Sequence, residues 1–162
     1  MGGEAYPSYE EIIEACTKEF ANYVLPKGDT IFGFWMQTLA DLELLDLELQ
    51  GLAEDYTIDP VKRKVKLDGD EDFIRSRIAH LERVKGEPTL YSQVVDMFGD
   101  TNAYAFHNLY PYKGKFYPRV VRTLINAFKL NSDSLLLDPF NGSGTATHEA
   151  SLMGGIKYES KR

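Results

Sequence analysis

One stretch constrains this chain more than any other: the apolar run Ser134-Leu-Leu-Leu-Asp138, followed by Pro139-Phe-Asn-Gly142-Ser-Gly144-Thr145. A short continuous apolar run is the pattern of a strand buried on both faces. Gly142 and Gly144 let the backbone reverse sharply and let a ligand approach it closely. A helix opening near Thr145 then aims its unpaired N–H groups, and the positive end of its dipole, at that turn. A strand–turn–helix unit of this kind takes a phosphate or a carboxylate-bearing cofactor. Position 147 is Thr, so the dinucleotide fingerprint lacks its third glycine, and no Lys follows the glycines as a P-loop requires. Asp138 at the strand end welcomes an ammonium group and disfavours a phosphate.

The whole string resembles motif I of the DNA methyltransferases that modify the exocyclic amine of adenine or cytosine. The pattern there is Asp-Pro-Phe-x-Gly-Ser-Gly-Thr, matched by Asp138 to Thr145, with Glu149-Ala150 on the helix that follows. The upstream Leu109-Tyr-Pro-Tyr-Lys-Gly-Lys115 is similar to the segment that precedes motif I, so that the resemblance covers about residues 106–155. It implies a Rossmann-like α/β domain and S-adenosylmethionine as cofactor. By that resemblance Phe140, Asn141, Gly142, Ser143 and Gly144, flanked by Pro139 and Thr145, would cradle the cofactor's amino-acid part. Asp138 would receive its ammonium, Tyr112, Lys113 and Lys115 would face its carboxylate, and Glu159 would take the ribose. No catalytic residue is assigned, because the family's second motif contains Pro-Pro before an aromatic that stacks on a flipped base, and no Pro-Pro occurs here. The resemblance therefore implies the N-terminal part of a methyltransferase, inactive alone. A second polypeptide, a missing C-terminal half or a homodimer would supply the rest, and DNA would be engaged by the complete enzyme. Membership in a restriction–modification system stays open. The alternative is a non-catalytic partner subunit or truncated relic acting as an interaction module.

Residues 1–105 read as a separate, mainly α region with a small β-hairpin, and residues 106–162 as the start of the cofactor-binding domain. Helical spacing predicts a first helix from Ser8 to Val24, and a second from Asp29 or Thr30 to Leu52 with Trp35, Leu39, Leu42, Leu45, Leu49 and Leu52 on one face. Tyr56 to Asp59 and Lys64 to Leu67 read as the hairpin. Asp68, Gly69 and Asp70 cap a third helix carrying Phe73, Ile74, Ile78, Leu81 and Val84, and a short helix passes through Val94, Val95 and Phe98. This order resembles a winged helix. Its candidate recognition helix carries Asp41, Glu43, Asp46 and Glu48, where base readout needs Arg, Lys, Asn or Gln. The basic run Lys62-Arg63-Lys64 on the hairpin is the feature of this region able to touch phosphate; a solvated turn is the plainer reading. Further on, Pro118 to Leu130 reads as a helix with Arg119 and Arg122 outside, and Ile156 to Glu159 as a strand.

Charge divides the same way. The net of −7 splits into −11 over residues 1–105 and +4 over residues 106–162, which points to two parts with different partners. The single cysteine, Cys16, excludes an intrachain disulfide and a Cys-rich zinc site and fits a cytoplasmic protein. No apolar run reaches the ~20 residues that span a bilayer. His107, His148 and His80 lack the clustered spacing of metal ligands. Asp68-Gly-Asp70-Glu-Asp72 lacks that of a calcium loop.

Overall fold

β-branched and aromatic residues at Thr30-Ile-Phe32 favour an extended backbone, and these residues form strand β1. The computed structural model describes residues 29–99, 104–105, 107, 116–154 and 156–160; the expected helix from Ser8 to Val24, with Cys16, lies outside them. The elements that follow β1 are α1 (Leu39–Leu52), β2 (Asp55–Asp59), β3 (Lys64–Asp68), α2 (Glu71–Arg77), β4 (Leu81–Val84), β5 (Glu87–Pro88), α3 (Leu90–Phe98), α4 (Pro118–Ala127), β6 (Leu135–Asp138), α5 (Thr145–Leu152) and β7 (Lys157–Ser160).

Five of the strands form one antiparallel sheet in the order β2-β3-β1-β4-β5. The hairpin expected from the sequence is its β2–β3 edge, in register from Asp55 opposite Asp68 to Asp59 opposite Lys64. Two further expectations are corrected here. Thr30 to Phe32 is a central strand paired with β3 and β4, not the start of a helix. Helix α1 begins only after Thr38, where a capping box closes it: Asp41 N donates to Thr38 Oγ1 (3.2 Å) and Thr38 N donates to Asp41 Oδ2 (2.9 Å). The third helix stops at Arg77, and Leu81–Val84 becomes a strand. Its hairpin to β5 turns through Lys85 (φ 47°) and Gly86 (φ 90°), the pair of left-handed residues that a two-residue turn between twisted strands requires.

Period-2 alternation sorts β3: Val65 and Leu67 are buried while Lys66 and Asp68 are exposed. On the buried face, Leu45, Leu49 and Leu52 of α1 pack with Val65, Leu67, Ile74, Ile78, Leu81, Tyr91 and Val95 in the main core. Trp35 belongs to it and donates its indole N–H to the Ala79 carbonyl (3.0 Å). The expectation of a mainly α, winged-helix-like region is thus corrected to a mixed α/β arrangement with helices on an antiparallel sheet. The strands not expected, β1, β4 and β5, hold two to four residues and are too short to announce themselves by periodicity.

The Rossmann-like start is corrected as well. Among the described residues, β6 with β7 is the parallel pairing, over four residue pairs, and it stands apart from the five-stranded sheet. Two strands do not make the doubly wound parallel sheet that defines such a domain. Nor is β6 buried on both faces, since Leu135 and Leu137 are each 60% exposed. A second, small cluster of Val121, Ile125, Ala150, Met153 and Ile156 lies between α4, α5 and the approach to β7.

Buried ion networks tie this part to the rest. Glu48, fully buried on α1, accepts from Ala79 N, His80 N, His80 Nδ1 (2.8 Å) and Asn126 Nδ2 (2.9 Å). Arg77 donates to Asn126 Oδ1 (3.1 Å), Leu130 O (2.8 Å) and Met153 O (3.3 Å). Arg122, expected outside, is buried: its Nε donates to Glu149 Oε2 at 2.8 Å. α4 lies against α1 at Gly51, where an added Cβ would stand 2.0 Å from the Asn126 carbonyl oxygen.

Candidate functional site: a lysine-lined groove on the antiparallel sheet

The outer face of the sheet forms a groove of about 640 Å³, lined by Asp29, Thr30, Thr57, Asp59, Lys62, Lys64, Val65, Lys66, Leu67 and Lys85. The pleat puts Lys64 and Lys66 on this face because Val65 and Leu67 take the other. Cross-strand register sets Asp59 opposite Lys64 and Thr57 opposite Lys66. On the far bank the β4–β5 turn is held down by two bonds: Gly86 N donates to Asp29 O (2.9 Å) and Lys85 N to Thr30 Oγ1 (2.9 Å). This anchoring brings Lys85 to the same groove as the β3 lysines.

Among the described residues, four lysines and two aspartates line the groove. Lys64 forms an ion pair with Asp29, and Lys62 lies 3.6 Å from Asp59. The Asp59 carboxyl is held below the usual carboxylate range, chiefly by the Lys62 backbone N–H bonded to it. Lys85 also pairs with Glu71 at the start of α2. Within the run Lys62-Arg63-Lys64 the roles divide. The lysines line the groove, while Arg63 (φ 53°) turns inward, donates to Gly33 O (3.0 Å) and Met36 O (3.1 Å), and lies over the Phe32 ring. Lys66, Lys85, Thr30 and Thr57 were missed as site residues. The alternation Lys64-Val-Lys66-Leu67 carried the signal for Lys66; nothing local carried it for Lys85.

The turn from Asp138 to Thr145 uses much of its own hydrogen-bonding capacity. Asp138 Oδ1 accepts from Phe140 N (3.1 Å) and Asn141 N (2.8 Å). Gly142 N donates to Phe140 O and Gly144 N to Asn141 O. Asn141, Gly142 and Gly144 all take positive φ. The amides expected to cradle a ligand thus hold the turn itself. Pro139 is exposed, the Phe140 side chain is 90% exposed, and Ser143 Oγ lies 3.1 Å from Thr145 Oγ1. Glu159 pairs with Leu137 through its backbone in β7. Tyr112, Lys113 and Lys115 lie outside the described residues.

Buried titratable groups form a separate cluster. Glu149 accepts from Tyr104 OH (2.5 Å) and Arg122, and lies 2.7 Å from His107 Nε2. Burial pushes its carboxyl up, but the His107 bond, the Arg122 charge and the Tyr104 hydroxyl together hold it below the usual range. Burial first, then the Glu149 charge, raises the Tyr104 phenol. These groups are closed off from solvent, and their bonds serve packing. No group of three or more His, Cys, Asp or Glu able to hold a metal ion occurs among the described residues. No helix among them is long and apolar enough to cross a membrane.

Compared with known protein families, curated proteins and solved structures, the chain matches none. The antiparallel sheet corrects the resemblance drawn from Asp138 to Thr145. The described residues form an antiparallel sheet and not the parallel Rossmann-like architecture of a DNA methyltransferase, so membership of that family, S-adenosylmethionine binding and the DNA-methylation role are not supported. The alternative of a non-catalytic partner or relic of that family has no support in the fold either. The motif is local: eight residues of turn chemistry do not specify the sheet around them.

Proposed function

We propose that this chain binds an anionic ligand in the lysine-lined groove. The observation that carries the reading is the convergence of Lys62, Lys64, Lys66 and Lys85 on one concave face in a chain of net charge −7. The overall acidity does not forbid it. Charges more than about 8 Å apart in water are largely screened at physiological salt, so the groove's own residues dominate what a docked anion feels. The acids of α1 lie on the other side of the sheet, which Val65 and Leu67 face. Thr57, opposite Lys66, adds a hydroxyl group beside the ammonium groups.

The test is an amide chemical-shift titration of the full chain with sulfate, phosphate and pyrophosphate. Saturable shifts at Thr57, Lys64, Lys66 and Lys85 are expected, and they disappear when Lys64→Glu and Lys66→Glu are combined. If none of these anions moves the groove signals while the chain is folded, the reading is wrong.

A further inference from the structure

The β6–β7 pair carries an inference that is independent of the groove. Leu136 packs against the second cluster, with Val121 and Ile125 of α4 and Ala150 of α5. Alternation along the strand puts Leu135 and Leu137 on the opposite face, where each is 60% exposed. β6 and β7 pair with no other strand among the described residues. Parallel strands are ordinarily covered on both faces. Two neighbouring leucines left open on such a pair mark a surface for association.

The parallel register points to what covers them. Lys157 stands beside Leu135 in it, and Glu159 beside Leu137. This face therefore reads leucine, leucine along one strand and lysine, glutamate along the other. A two-fold axis lying between two stacked copies and crossing the strands at right angles reverses the strand direction and keeps β6 over β6 and β7 over β7. Leu135 of one copy then meets Leu137 of the second copy, and position 157 meets position 159, a lysine against a glutamate. The two-fold axis that runs along the strands instead lays β6 over β7 and sets leucines against charges. The crossing axis alone matches apolar to apolar and cation to anion, and closed two-fold contacts are the commonest way in which identical chains associate. We infer that two copies of this chain associate through the open face of β6 and β7, stacked about that crossing axis. Two leucines and two charged positions per copy make a small contact beside the roughly 800 Å² per partner of a stable complex, so the association is reversible and follows concentration.

Sedimentation equilibrium of the full chain from about 10 μM to about 1 mM, the range suited to so small a contact, tests this. A reversible monomer–dimer equilibrium is expected. Leu137→Asn should weaken it at least tenfold. Lys157→Glu, which sets glutamate against glutamate twice in each dimer, should weaken it at least threefold. Lys157→Glu combined with Glu159→Lys restores opposite charges with their places exchanged, and should return the affinity to within twofold of the parent. Leu137 and Lys157 are exposed, and far-UV circular dichroism verifies that the variants fold. A monomer at every concentration would overturn the inference. So would a dimer indifferent to Leu137→Asn, which would place the contact elsewhere on the chain. A dimer weakened by Leu137→Asn but not rescued by the charge exchange would overturn the crossing two-fold arrangement.

Discussion

Gly51 and Glu149 carry more of this structure than their neighbours in sequence suggest. Gly51 sits in α1, where alanine would ordinarily gain about 1 kcal/mol of helix propensity. Here an added Cβ would lie 2.0 Å from the Asn126 oxygen and 2.6 Å from its carbonyl carbon. Backbone atoms cannot swing aside as a side-chain tip can, so the clash outweighs the propensity. Gly51→Ala is expected to destabilise by about 1–3 kcal/mol in urea unfolding; a neutral or stabilising result would mean the helices do not cross there. Glu149 is fully buried with Arg122 as its ionic partner. Breaking one half of a buried pair costs about 3–5 kcal/mol, because the other charge is stranded. Arg122→Ala should therefore lower stability by that order, and Arg122→Ala combined with Glu149→Leu should recover part of it. Neither burial was legible locally. Arg122 occupies a position that helical periodicity assigns to solvent, and its partner stands 27 residues away.

At the scale of elements, boundaries followed caps and turns. Thr38 and Asp41 close α1 at its start, and Arg119 Nη2 donates to Asp41 Oδ1 at 2.8 Å, tying that cap to α4. Thr38→Ala is expected to cost about 1 kcal/mol, read as a shift in the urea midpoint. The β2–β3 hairpin was legible because both strands alternate and Pro60 separates them. β1, β4 and β5 were not, since a three-residue strand holds no periodicity and Lys85-Gly86 is a weaker turn signal than Asn-Gly. The strand–turn–helix unit from Leu135 to Leu152 was legible as local structure, and its surroundings were not. Gly144→Val is expected to destabilise this unit, because φ is +77° there and the space beside it holds the His148 ring.

For the whole molecule, acid sensitivity follows from the carboxylates. Glu149 and Asp41 both have folded-state values held down: burial raises each, and is outweighed by His107, Arg122 and Tyr104 for Glu149, and by the Gln37 and Thr38 bonds and Arg119 for Asp41. A lowered carboxylate contributes stability above its unfolded value, about 4, and that stability drains away as pH falls through the folded value. Glu82, raised by burial, works in the opposite direction. The melting temperature should hold from pH 7 to about 5, drop below about 4, and drop less steeply in Glu149→Gln; a profile that leaves the variant and the parent parallel would deny Glu149 this role. Because Glu48, Asn126 and Arg77 join the main core to the second cluster, thermal unfolding is expected as one transition, with calorimetric and van't Hoff enthalpies equal. Near neighbours along the chain dictate the Leu45-Leu49-Leu52 face of α1, the β2–β3 hairpin, the glycine turn, and the two lysines that alternate onto one face of β3, whereas Leu39, expected on that helix face, is 79% exposed. Long-range packing sets the five-stranded antiparallel sheet, the inward turn of Arg63 and Arg122, and the arrival of Lys85 across β1 from Lys66. The physical reason is common to all three. Each depends on a partner distant in sequence, and periodicity, caps and turn residues report only the forces that act within a few residues.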